Sequence, residues 1–215
     1  MLPVCAVVVL MSVLDHPLGC IAATNEQSTR AALAIRDHVP AYQKYGTRLF
    51  TEKTLHDAYD EAVYLVESEY GHEHAELAPE LTRLLERHAS VDLFLLAHGN
   101  NYSDQLELVP SHLRHKLRLV YNTGCAGAGH ADRWLQAGAT TYLGHEADRS
   151  ISPLFYLYFL RRWARGESLE AAVRSANERA GQRLSWLGLS EPAYQATATV
   201  FGQESLWIGS TPESR

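Results

Sequence analysis

The chain has 215 residues, of which 46% are hydrophobic and 20% are charged, and its formal net charge is −6. That is enough apolar material for one substantial core, so the length predicts a single domain over residues 1–215. The acidic balance argues against nucleic acid as a partner, because phosphate binding needs a basic protein face.

The first stretch, 4–14, is almost wholly apolar and is open to two interpretations. A valine-rich segment of this kind fits the first buried strand of a parallel sheet. It also fits a signal segment over residues 1–20, which would imply an exported protein or a lipid anchor through Cys20. We favour the strand, because no Lys or Arg precedes Arg30 to form the positively charged start of a signal peptide.

The cysteine count bears on the compartment. Three cysteines (Cys5, Cys20 and Cys125) are too few and too uneven for a disulfide framework. They favour a reducing compartment, and hence a cytoplasmic location. No apolar run reaches the roughly 20 residues that a membrane-spanning helix needs, so no membrane span is expected.

Strands and helices are also predicted to alternate in the N-terminal half. A helix is expected over 26–45, with Asn25 or Ser28 as its cap. Gly46 is its expected stop, and a short strand follows over 47–51. The next helix is predicted from apolar residues at helical spacing, namely Leu55, Ala58, Ala62, Leu65 and Val66.

The rest of the chain shows a clearer alternation. Short apolar runs typical of strands buried on both faces lie at 92–97, 117–121 and 139–143. A last strand or hairpin is expected over 196–208. Helices are predicted over 79–88, 130–136 (closed by Gly138), 153–164 and 169–180, with Gly166 and Ser168 as stop and cap between the last two. The alternation predicts an α/β fold, with a mostly parallel sheet covered by helices on both faces.

Two reactive side chains follow successive predicted strands. His98 comes directly after 92–97, and Gly124-Cys125 follows 117–121. Ligands of open parallel sheets bind beyond the carboxyl ends of the strands, and neighbouring strands lie about 4.8 Å apart. If these two strands are neighbours, His98 and Cys125 meet across one crevice as a base and a nucleophile.

The residues around Cys125 suit this chemistry. The run 124–129 carries no bulky side chain beside the thiol, so its backbone N–H groups can approach a substrate carbonyl. A helix that starts near His130 would favour the thiolate, and Gly99 leaves room for substrate. A buried structural cysteine and a satisfied core histidine are the alternatives. The occurrence of both on successive strand ends, each beside glycine, favours catalysis.

The stretch from Asp92 to Asn177 resembles the caspase–gingipain–legumain superfamily of cysteine peptidases (clan CD), in particular its CHAT branch. The resemblance depends on the order of four segments: LFLLAHG, LRLVYNTGC, QAGATTYLG and FYLYFLRRWARGESLEAAVRSAN. It implies a caspase-haemoglobinase-like three-layer sandwich, a peptide or protein substrate and no cofactor. It further implies His98 as general base or proton shuttle, Cys125 as nucleophile, and an oxyanion hole formed by the backbone amides of Gly99 and Cys125.

The chain departs from that family's pattern in ways that affect specificity. Ala97 stands where Gly is common, and Cys125 follows His98 after only 27 residues. Many relatives that cleave after basic residues place an acid where this chain has Thr123. An acidic pocket would then have to come from the segment after the third strand. Glu146 and Asp148 follow that strand and could supply such a pocket, although solvated loop acids are the commoner explanation. His145 ends the strand and could line the same crevice, so the candidate substrate-pocket residues are Thr123, His145, Glu146 and Asp148.

The sequence leaves three other interpretations open. The cluster His72-Glu73-His74, with His130 and His145 as possible companions, could hold a metal. No established zinc spacing is present, so we favour a polar surface loop and expect no metal site. A CHAT-like binding or signalling module without catalysis is the main functional alternative. A cysteine-dependent α/β-hydrolase is disfavoured, because its nucleophile elbow needs Gly where Thr123 stands.

Overall fold

The computed structural model describes residues 29–37, 41–66, 76–97, 102–189 and 196–209, with side chains in the second range described from residue 47. Within these residues six strands form one sheet, with these bounds: β1 Arg30–Arg36, β2 Glu61–Val66, β3 Ser90–Leu96, β4 Leu117–Asn122, β5 Thr141–His145 and β6 Ala198–Gly202. Their order across the sheet is β2-β1-β3-β4-β5-β6. The first five strands are parallel, and β6 runs antiparallel to β5 at one edge.

Helices cover both faces of this sheet. Their bounds are α1 Ala41–Ala58, α2 Leu77–Arg87, α3 Ser103–Leu106, α4 Ala131–Gln136, α5 Ser152–Trp163 and α6 Leu169–Trp186, and 3₁₀ turns lie at Ser111–Lys116 and Gly127–His130. One core joins the sheet to α1, α5 and α6, and a second core joins the opposite face to α2, α3 and α4. The predicted α/β fold, mostly parallel and helix-covered on both faces, is confirmed.

The central strands form where the sequence has continuous apolar runs. Every residue of β3 is buried. Phe94 and Leu96 pack into the first core, while Leu93 and Leu95 pack into the second. A strand between two helical layers needs apolar side chains on both faces, and this explains why the runs at 92–97, 117–121 and 139–143 correctly predicted β3, β4 and β5.

The helix predicted over 26–45 is wrong in its central part, where Arg30–Arg36 is the strand β1. The segment RAALAIR is rich in alanine, which favours helix when considered alone. Its alanines are fully buried between β2 and β3, so tertiary packing overrides that preference. The proposed caps Asn25 and Ser28, and the apolar stretch 4–14, lie outside the described residues.

The strand predicted at 47–51 is also wrong, since this segment lies inside α1, and Gly46 does not end a helix. Ion pairs at helical spacing, Arg48 with Glu52 and Lys53 with Asp57, support that helix. The helix predicted from Leu55 to Val66 holds only as far as Ala58, because 61–66 forms the edge strand β2. The helical spacing of its apolar residues is coincidental.

The C-terminal elements largely agree with the sequence. The predicted helices at 79–88, 130–136, 153–164 and 169–180 correspond to α2, α4, α5 and α6, and β6 lies within 196–208. Ser168 caps α6 by accepting a hydrogen bond from the Ala171 N–H at 3.3 Å. Gly138 and Gly166 have positive φ angles after the helices that they end. None of the helices in the described part of the chain is long and apolar enough to cross a membrane.

Candidate active site

The carboxyl ends of β3 and β4 lie side by side, at the end of the sheet where the parallel strands finish. The two strands are parallel neighbours, with Leu95 opposite Asn122, as the sequence required for a shared crevice. The Thr123 hydroxyl donates to the carbonyls of Leu95 at 3.1 Å and Ala97 at 3.2 Å. The chain just before His98 is thus hydrogen-bonded to the residue two positions before Cys125. His98 and Gly99 themselves lie outside the described residues.

A tight turn carries the chain from β4 to Cys125. The Gly124 N–H donates to the side-chain oxygen of Asn122 at 2.7 Å. A Cβ at position 124 would lie 2.9 Å from the same oxygen, so a side chain there would have to displace the Asn122 side chain. Ala126 has a φ of 52°, in the left-handed region, and its N–H donates to the Ala147 carbonyl at 2.8 Å. The turn is therefore fixed at both ends.

The Cys125 thiol is partly exposed and is not sealed into the core. Its sulfur accepts a hydrogen bond from the backbone N–H of Ser150 at 3.4 Å. Among the residues that the structure describes, the backbone N–H of Cys125 donates no hydrogen bond. With no acceptor among the described residues, this N–H beside a partly exposed cysteine is available to an oxyanion that forms on an attacked carbonyl.

His145 is a predicted pocket residue that the structure turns into the protein, since its side chain is fully buried. Its Nδ1 lies 3.2 Å from both the Thr197 carbonyl and the Ser150 hydroxyl, and its Nε2 lies 2.9 Å from the Tyr121 hydroxyl. Because a carbonyl only accepts, Nδ1 carries the proton and Nε2 accepts from Tyr121. Burial lowers the pKa of His145 to about 4, so the imidazole is neutral near neutral pH.

The other predicted pocket residues have different surroundings. The hydroxyl of Thr123 is buried and occupied by backbone carbonyls. Glu146 is exposed and accepts a hydrogen bond from Thr199 on β6, on the side of β5 opposite β4. Asp148 is exposed and lies between Ala147 and Ser150, which both contact the Cys125 turn. Of the two predicted acids, Asp148 therefore belongs to the part of the segment that reaches the thiol.

The structure gives no support to a metal centre among the described residues. No group of three or more His, Cys, Asp or Glu side chains within those ranges is close enough to hold an ion. His130 lies at the end of a 3₁₀ turn and is partly exposed. His72, Glu73 and His74 lie outside the described residues.

Sequence reasoning missed Arg36, which ends β1 at the same edge of the sheet. It lies opposite Leu96 of β3, and only 5% of its surface is exposed. Its Nε has no hydrogen-bond partner within the described ranges. A buried cation with an unused donor can bind an anionic group. The sequence did not indicate that Arg36 ends a strand, because it lies inside a segment that was predicted to be a helix.

Ser150 was also missed. It contacts both Cys125 and His145, yet a single polar residue in a loop carries no periodic signal that would predict these contacts.

Comparison with known proteins adds no family to this geometry. No family model matches the sequence, and no curated protein matches it significantly. The resemblance to clan CD peptidases therefore depends on the four sequence segments alone and stays a prediction.

Proposed function

We propose that the protein is a cysteine peptidase in which Cys125 is the nucleophile and His98 carries the proton. One observation supports this above all others. The strands that precede the two residues are parallel neighbours, and Thr123 links their carboxyl ends. A histidine and a cysteine that follow such strand ends are available to the same substrate group.

The surroundings of the thiol agree with this role. Cys125 is partly exposed, and its sulfur accepts a hydrogen bond from the Ser150 N–H, which holds the sulfur beside the turn. The small residues of the turn leave the Cys125 N–H open to a substrate oxygen. A hydrogen-bond donor in that position stabilises the oxyanion most when it is already held in place before the reaction.

The reaction would proceed in two steps. The Cys125 thiolate attacks the peptide carbonyl, an S–C bond forms, and the Cys125 N–H stabilises the oxyanion. The C–N bond then breaks, and the leaving amine takes its proton from His98. In the second step His98 removes a proton from water, the resulting hydroxide attacks the thioester, and the S–C bond breaks to release a carboxylic acid and restore the thiolate.

The substrate class is a peptide or protein. Asp148 is an exposed acid beside the thiol turn, and Arg36 is a buried cation at the end of β1. Two strand spacings, or roughly 10 Å, separate β1 from β4. Peptides with either basic or acidic side chains next to the cleaved bond are therefore the appropriate first substrates.

The direct test is cleavage of a mixed peptide library by the wild type, Cys125→Ala and Cys5→Ala. We expect cleavage by the wild type and by Cys5→Ala, which removes a different thiol, and none by Cys125→Ala. Equal cleavage by Cys125→Ala would reject Cys125 as the nucleophile. Absence of cleavage by the folded wild type would favour the binding-module alternative, in which Cys125→Ala keeps its biological effect.

A further inference from the structure

The segment between β5 and α5 touches the Cys125 turn at two points. The Ala126 N–H donates to the Ala147 carbonyl at 2.8 Å, and the Ser150 N–H donates to the Cys125 sulfur at 3.4 Å. A hydrogen bond from a fixed backbone N–H restricts the orientation of the sulfur that accepts it, and attack depends on that orientation. The position of this segment therefore affects the reactivity of the thiol.

His145 anchors the same segment from inside the protein. It is the last residue of β5, and its Nδ1–H is shared between the Ser150 hydroxyl and the Thr197 carbonyl. Its Nε2 accepts from the Tyr121 hydroxyl on β4. The imidazole thus joins the segment that carries Ser150 to two other parts of the chain.

The packing around His145 allows hydrogen bonding but little charge. The rings of Phe155 on α5 and Tyr121 on β4 lie 5.2 and 5.8 Å from the imidazole, centroid to centroid. No charged side chain in the described part of the chain forms an ion pair with it. Burial lowers the pKa of His145 to about 4, so near neutral pH it acts as a neutral donor and acceptor.

We propose that His145 is a positioning residue for Cys125: by holding Ser150, it keeps the Ser150 N–H on the sulfur and so holds the sulfur in one orientation for attack. His145 itself does not contact the substrate. The proposal rests on the proposed function, because it matters for catalysis only if Cys125 is the nucleophile.

Alkylation of Cys125 by iodoacetamide tests this without any peptide substrate, with the modified residue located by mass spectrometry. In His145→Phe the Nδ1 hydrogen bonds are lost, and we expect alkylation near neutral pH to slow roughly tenfold, because Ser150 no longer holds the sulfur in place. His145→Asn, whose amide N–H lies near the position of Nδ1, should restore most of the rate.

The matched control is Thr199→Val. It removes the hydrogen bond to Glu146, at the other end of the same segment, and should alkylate at the wild-type rate. Circular dichroism and thermal melts establish that each variant is folded. A folded His145→Phe that alkylates at the wild-type rate would overturn the proposal, as would equal slowing in Thr199→Val. If the alkylation rate depends on His145 as expected but the wild type cleaves no peptide, only the proposed function would be rejected.

Discussion

At the scale of single residues, the site combines a partly exposed cysteine with a fully buried histidine, and the two side chains have different roles. Cys125 is partly exposed, and its sulfur accepts a hydrogen bond from the Ser150 N–H. His145 satisfies both ring nitrogens inside the protein. A histidine beside a strand end is thus not enough to identify a catalytic group, since burial decides whether substrate can reach it.

The buried state of His145 predicts that stability depends on pH. Its pKa is about 4 in the folded protein and about 6.5 in the unfolded chain. Between these values only the unfolded chain binds the proton, so stability is full above about pH 6.5 and falls as the pH drops towards 4, by about 3 kcal/mol. Urea unfolding of the wild type and His145→Asn at several pH values measures this pH dependence of the free energy of unfolding.

His145→Asn removes the ionisation and should flatten this part of the curve. His112→Asn is the matched control, because His112 is exposed and lies in the 3₁₀ turn before β4. That variant should retain the wild-type slope. A wild-type slope in His145→Asn would show that other groups cause the dependence.

At the scale of elements, close packing around β5 fixes the Cys125 turn. A Cβ at Gly144 would lie 2.8 Å from the backbone nitrogen of Ala128, in the 3₁₀ turn just after Cys125. The Tyr142 hydroxyl also donates to the Gly127 carbonyl at 2.8 Å. The absence of a side chain at 144 thus allows the turn to lie directly against β5.

Gly144→Ala is expected to destabilise the protein by about 1–3 kcal/mol, because backbone atoms must move to make room. Gly181→Ala is the matched control, since a Cβ there meets no atom within 4 Å and the residue lies inside α6. It should stabilise the protein by up to about 1 kcal/mol, through the higher helix propensity of alanine. Denaturant titrations compare the two, and a neutral Gly144→Ala would contradict the packing described here.

The sequence predicted the elements whose burial pattern is unambiguous. Continuous apolar runs identified β3, β4 and β5, and glycine and serine signals marked the boundary between α5 and α6. The wrong secondary-structure predictions lie between residues 26 and 66. There β1 is rich in alanine and the apolar residues of β2 occur at helical spacing, so both segments resemble helix when considered alone. Their strand structure depends on pairing with residues distant in sequence, which local patterns do not contain.

The candidate site shows the same division. The two strands that precede His98 and Cys125, and the small residues around Cys125, were predictable from local segments, whereas the pairing of β3 with β4 entered only as a condition that the structure meets. The contacts of Ser150 and the burial of Arg36 could not be predicted from the sequence. They arise from how loops and strand ends dock, and single polar residues carry no periodic signal.

At the scale of the whole molecule, a buried ion pair ties the layers together near the amino ends of β3 and β4. Asp92 and Arg118 are fully buried and form two hydrogen bonds, at 2.6 and 2.8 Å. Tyr59, at the end of α1, donates to Asp92, and Trp163 of α5 donates to Tyr59. Arg118 also donates to the Ile208 carbonyl at 2.6 Å.

Asp92→Asn should cost about 3–5 kcal/mol of unfolding free energy, because it leaves the Arg118 charge buried without its counter-ion. The matched control, Glu170→Gln, breaks the exposed pair with Arg174 and should cost less than about 1 kcal/mol. Urea unfolding distinguishes them. A loss in Asp92→Asn no larger than in Glu170→Gln would contradict this account of the network.

The central claim is that His98 and Cys125 act together beyond one edge of this sheet. The most direct measurement is the rate at which a peptide with an electrophilic carbonyl analogue labels Cys125 in the wild type, His98→Ala and His112→Ala. His112 is an exposed histidine before β4, at the opposite edge. We predict that labelling slows about 100-fold or more in His98→Ala and is unchanged in His112→Ala. Equal labelling in His98→Ala and the wild type would contradict the claim.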